Sequence, residues 1–145
     1  MIQSLDKGYH LHRKNRIVFF IFCIGFIVGT VSHTIDILNL GFLGYTFAPF
    51  ALNVFWTSLV FFDPLVILLL FLNLRIAILL AIIVMIFDIT INLTYGIVAS
   101  HTPILLGLIT QIPFGIFVGF TAKELYHYKT WKEFLKIEPT GSMIE

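Results

Sequence analysis

The sequence predicts an all-α integral membrane protein, a bundle of four transmembrane helices running up-down-up-down. Three observations predict it. The chain has 145 residues, 59% hydrophobic and 12% charged, with a mean hydropathy of +0.99; a soluble domain is nearer ~45–50% apolar and ~25% charged. Four stretches reach the length of about 20 mostly apolar residues that a spanning helix needs. All nine Lys and Arg fall on one side of a four-span arrangement.

The first span is expected at about 17–38, behind a polar leader (1–16) that ends in Arg13, Lys14 and Arg16. Gly41 and Gly44 favour a turn after it. The second, about 49–72, opens on Pro49, where a missing N–H costs little. A tight Asn73-Leu74-Arg75 connection leads into the third, about 76–96. The fourth, about 103–122, begins at Pro103 behind Thr102 as a cap. Thr30-Val31-Ser32 loosely imitates a signal-peptidase site, but the run stays apolar beyond it and a mature chain would start at His33, so the first span is read as retained. In the tail, 123–145, Leu125, Tyr128, Trp131 and Leu135 share a helical face between lysines. That pattern predicts a helix end in the headgroup layer, with Tyr126, Tyr128 and Trp131 as interfacial anchors.

Lys7, Arg13, Lys14 and Arg16 precede the first span, Arg75 sits in the second connection, and Lys123, Lys129, Lys132 and Lys136 follow the fourth. The first and third connections carry none. The positive-inside rule then predicts a multi-pass protein of the cell membrane with both termini cytoplasmic. A net charge of +1 argues against a nucleic-acid partner bound by phosphate neutralisation. A single cysteine argues against a disulfide scaffold. No internal repeat is visible, and four spans leave no room for a second domain.

The informative residues are polar ones inside the spans. A charged residue at the bilayer centre costs at least ~2.5–3.5 kcal/mol on insertion scales. Asp36, Asp63 and Asp88 nevertheless fall in predicted spans, with no Lys or Arg beside them, accompanied by His33, Asn53, Trp56, Asn92 and Gln111. Their spacing puts them on one seam per helix: His33 and Asp36 continuing the stripe of Gly25 and Gly29; Asn53, Trp56, Val60 and Asp63; Met85, Asp88, Asn92 and Tyr95; Ile104, Gly107, Gln111, Phe114 and Val118. At 1.5 Å per residue, Asp63, Asp88 and Gln111 lie about 13–18 Å from the cytoplasmic ends, and the others roughly 24–29 Å. Two polar layers are therefore expected, as in a pocket that opens to the outside and ends near the midplane. Pro64 and Pro113 each free a backbone carbonyl nearby, which must find a partner or line a wet cavity.

Four functional readings follow. The leading one is a pocket for a small hydrophobic or lipid-like ligand, with isomerase-type chemistry as an option. In it Asp88, His33 and Asp36 are candidate acid/base groups, and Asp63, Asn53, Trp56, Asn92 and Gln111 are ligand contacts. The second is structural, with the polar residues only holding the bundle together. The third is proton or cation transport through midplane carboxylates. The fourth, a metal site from His33, Asp36 and His101, lacks any Cys nearby and any HxxxH or HExxH spacing, so neither metal nor cofactor is expected. Expected partners are membrane lipids and the ligand; a homo-oligomer is left open.

His-x-x-Asp near the end of the first span (His33, Asp36), an Asn-x-x-Trp seam (Asn53, Trp56), and Asp with Asn on the third (Asp88, Asn92) resemble the EXPERA fold. That four-helix group comprises the emopamil-binding sterol isomerases and sigma-2-like receptors. The likeness covers span count and kinds of polar residue, and every acid within the spans here is Asp, not Glu. It implies a ligand pocket among the spans. The run Phe55-Trp56-Thr57-Ser58-Leu59 with Asp63-Pro64-Leu65 is also similar to that of small four-span bacterial membrane proteins, which implies a membrane location and no particular activity.

Overall fold

The computed structural model describes residues 2–135, with side chains from residue 14 onward; residues 136–145 of the expected tail, Lys136 among them, lie outside the described residues. Four long helices, α1 (Ile2–Leu40), α2 (Phe50–Leu72), α3 (Leu74–Val98) and α4 (Thr102–Tyr126), are followed by a single turn, α5 (Trp131–Leu135). Each long helix contains a stretch long and apolar enough to cross a membrane, starting in α1 at Lys14. The helix itself begins well before the expected boundary at 17. Hydropathy marks where a span ends, but the leader's Gln, Lys and Arg are good helix formers, and the helix continues through them.

The connections are tighter than the sequence suggests. Asn73 alone joins α2 to α3: its N–H donates to the Leu69 carbonyl at 2.7 Å, while its side chain accepts from the Ile76 N–H at 3.4 Å. One extended residue thus closes one helix and caps the next. Between α3 and α4, Ser100 takes a left-handed conformation (φ 51°) and the His101 N–H donates to the Gly96 carbonyl at 2.9 Å. Thr102 is not the cap: His101 holds that position, without a side-chain bond, and Thr102 is already helical. At the end of α1, Gly41 adopts φ +89°, which an L side chain resists, and its N–H returns to the Ile37 carbonyl.

Successive helices pack against one another, α1 on α2, α2 on α3 and α3 on α4. At the end carrying the basic residues the interior is apolar and closed, with Phe22, Val66, Leu70, Leu74, Ile78 and Leu125 fully buried. The outer surfaces carry Phe20, Leu68, Ile83 and Phe120 well exposed, as contact with acyl chains requires. Within lipid, helix association draws on close packing and interhelical hydrogen bonds, since lipid tails are as apolar as Leu.

The described part of the tail packs on the bundle itself. After α4 the chain turns at His127–Thr130 and α5 folds back across the basic end. Asn15 Nδ2 donates to the Phe134 carbonyl at 2.8 Å, the Leu74 N–H to the Lys129 carbonyl at 2.9 Å, and Arg75 to the His127 carbonyl at 3.2 Å. Phe134 is buried, and Trp131 packs against Phe19 and Phe71 with ring centroids 5.8 and 6.0 Å away. The apolar face seen in the sequence is real, but this protein's own helices cover it. Glu133 stabilises the turn by accepting from the Lys129 N–H at 2.8 Å.

Candidate functional site

Toward the other end of the bundle the packing loosens around a cavity of about 740 Å³, lined by all four long helices and the loop after α1. Every polar residue singled out from the sequence lines it except Asn53. The seams explain why: on α2, α3 and α4, Trp56 and Asp63, Met85 to Asn92, and Ile104 to Phe114 recur every three or four residues, and one face of each helix turns to the common interior.

The site's centre is a chain of hydrogen bonds across three helices. Trp56 Nε1 on α2 donates to Asn92 Oδ1 on α3 at 2.8 Å. Asn92 Nδ2 donates to Asp88 Oδ1, one turn earlier, at 2.8 Å and to Gln111 Oε1 on α4 at 3.0 Å. Asn92 thus uses both faces of its carboxamide, and Trp56, Asp88 and Asn92 are all buried. Their partners are fixed and their geometry is rigid.

A second polar group lies between α1 and α2. His33 Nε2 stands 4.0 Å from Asp63 Oδ2, beyond a direct hydrogen bond. His33 Nδ1 has no partner among the described residues. Asp63 is buried against α1 at Gly29, where an added Cβ would collide with the carboxylate. Among the described residues no side chain donates a hydrogen bond to Asp63. The two polar layers anticipated from depth are therefore not separate. His33 on α1 reaches toward Asp63 on α2, and Asn92 joins Asp88, one 5.4 Å turn away on its own helix, to Gln111 on α4.

Asp36 and Asn53 have other occupations. Asp36 Oδ2 accepts from the Tyr45 hydroxyl at 2.9 Å, so it is tied to the loop and is not paired with His33. Burial, and then this bond, push the Tyr45 phenol above its ordinary value, which keeps it a donor. Asn53 was expected to contact a ligand, but its side chain accepts from the Tyr45 N–H at 3.2 Å and donates to the Leu43 carbonyl at 2.7 Å. It holds the loop in place instead, replacing backbone partners that an irregular segment lacks. Pro64 and Pro113 lie inside α2 and α4 but do not line the cavity.

Aromatic rings line the cavity toward both ends. Across its loop end, Phe47 stacks on His101 (centroids 4.7 Å, interplanar 15°) and accepts at its carbonyl from the Tyr95 hydroxyl at 2.8 Å. Trp56 packs beneath against Tyr45 and Tyr95. At the opposite end, Phe114 enters the notch at Gly25, and its ring meets Phe22 and Phe26. There α1 and α4 touch. Beside this contact and further toward the loops, Ile24, Val28 and Ser32 on α1 and Gly107 and Thr110 on α4 are lining residues that are also exposed. Tyr45, Phe47, Ser32 and Thr110 are among the lining residues the sequence did not nominate: the first two sit in a loop without periodicity, and the others lie off the inner seams.

No protein-family model, curated protein or solved structure matches the chain.

Proposed function

We propose that this is a cell-membrane protein whose four long helices cross the bilayer in alternating directions, with the basic end in the cytoplasm, and whose cavity binds a small hydrophobic or lipid-like ligand. One observation carries the reading: a cavity of about 740 Å³ in a bundle otherwise filled mostly by apolar side chains, with Asp63 and Asp88 in its wall. Pockets of roughly 300–1,000 Å³ hold drug-sized ligands, mostly apolar, with a few polar groups fixing orientation. Asp63 and the second oxygen of Asp88 supply acceptors, so the ligand's polar end donates hydrogen bonds. His33, 4.0 Å from Asp63, supports an acid/base role for that pair, with Asp88 opposite. The kinds of residue shared with the EXPERA group support the same reading.

Trp56, Asn92, Asp88 and Gln111 favour a second, structural reading, since they bond to one another. Interhelical bonds average only ~0.6 kcal/mol, however, well below the insertion cost of the acids, and Asp63 makes none with described side chains. Proton transport needs the polar path to continue, whereas Phe22, Phe26 and Phe114 fill the bundle beyond Asp63 and Asp88.

The test is mass spectrometry of small molecules that co-purify in mild detergent. A recurring compound is expected from the wild type and is lost from Asp63→Asn and Asp88→Asn, both of which still fold. Retention of the compound in both variants, or its absence from the wild type, overturns the reading.

A further inference from the structure

We infer that the cavity is filled sideways from the bilayer, by an amphiphile whose hydrocarbon chain passes between α1 and α4 while its polar end reaches Asp63 and Asp88. The inference rests on the ligand-binding reading and adds the route and the ligand's physical state: dissolved in the membrane, not in water.

Three features carry it. Aromatic rings narrow the cavity at both ends, the Phe47–His101 stack at one and Phe114 in the Gly25 notch at the other. A gap lies between α1 and α4, helices without a shared connection, and its rims are mostly apolar, Ile24 and Val28 on one side and Ile104 and Gly107 on the other, with Ser32 and Thr110 as the polar exceptions. α4 is the least covered of the four spans, with 11% of its apolar window buried against 28–39% for the others. A chain lying in this gap keeps its methylenes against apolar side chains and lipid throughout, so no apolar surface crosses water. Its polar end meets acceptors only after passing the rims. The polarity gradient, apolar at the rim and acidic inside, selects a molecule with one hydrogen-bond-donating end and one hydrocarbon end.

Gly107 is the natural place to close the gap. It lines the cavity, and an added Cβ would have nothing within 4 Å. Leu at this position fits the helix better than Gly and grows into the gap without displacing backbone.

The chain has two tryptophans, one of which, Trp56, forms part of the cavity wall. In a Trp131→Phe background, Trp56 fluorescence therefore reports a heavy-atom quencher inside the cavity. The protein is placed in nanodiscs whose phospholipids carry brominated acyl chains, and separately in unbrominated discs with a short, water-soluble bromoalkanol added. Brominated lipid is expected to quench Trp56 in this background and equally after Gly107→Ala, with most of the quenching lost after Gly107→Leu at unchanged thermal stability. Equal quenching in Gly107→Leu overturns the proposed route. Quenching by the bromoalkanol alone overturns it too, but leaves the ligand-binding reading standing, because the cavity then fills from water. Quenching by neither removes both. An unstable Gly107→Leu protein shifts the test to Val28→Phe on the facing rim, with the same expected loss.

Discussion

Trp56 Nε1 donates to Asn92 Oδ1 at 2.8 Å, and this bond joins α2 to α3 at the wall of the cavity. Asn92 is at the same time the donor to Asp88 and to Gln111, so one carboxamide holds groups from three helices. Asn92→Leu keeps the volume and removes all three bonds. Each buried group left unsatisfied costs about 1–3 kcal/mol. A clear fall in thermal stability in detergent is expected, larger than for Gln111→Leu, which removes one bond; equal losses in the two variants would count against a central role for Asn92.

Gly29 leaves room for the Asp63 carboxylate, and a methyl there collides with it. Gly29→Ala is therefore expected to destabilise the protein by displacing Asp63, although Ala is the better helix former. Asp63→Ala should relieve the collision. In a double-mutant cycle the coupling is expected at about 0.5–3 kcal/mol, the range for residues in contact, and additive effects would contradict the packing.

Asn53 and Tyr45 hold the loop after α1, through the bonds to Leu43 and Asp36. Asn53→Ala removes three hydrogen bonds, two to the loop and a longer one from Thr57, each a net contribution of about 0.5–1.5 kcal/mol. Hydrogen exchange of residues 41–49 is expected to speed up while exchange in α3 is unchanged. A uniform acceleration across the bundle would instead make Asn53 part of the global core.

Phe134 of α5 is 1% exposed beneath the turn that closes the basic end. Phe134→Ala is expected to cost about 3–5 kcal/mol, the usual range for deleting a buried phenylalanine. If α5 merely floated in the headgroup layer, the substitution would weaken membrane association of the tail and leave the unfolding temperature of the bundle in place.

The four spans and their inner seams were legible because an apolar run of fixed length and a three-to-four residue spacing have few other meanings. The sequence could therefore bring His33, Trp56, Asp63, Asp88, Asn92 and Gln111 to one interior. It could not say which polar side chain an irregular segment would claim, and so Asn53 was read as a ligand contact while it secures the loop. Nor could it pair Asp36 with Tyr45, a loop residue with no periodicity to place it. The packing of the tail was hidden for a related reason: the spacing of Leu125, Tyr128 and Trp131 reveals an apolar face, but lipid and the protein's own helices satisfy such a face equally well. The depth count separated residues that side-chain reach then reunited.

The lone Asn73 between α2 and α3 divides the molecule mechanically. With the Leu69–Asn73 and Asn73–Ile76 bonds at the joint, this hairpin cannot slide by a turn without breaking its own caps, and it serves as the stator. α1 is tethered to it by the residue 41–49 segment and α4 by the Ala99–His101 turn. The cavity-lining groups on α2 and α3, Trp56, Asp63, Asp88 and Asn92, are thereby held in one register.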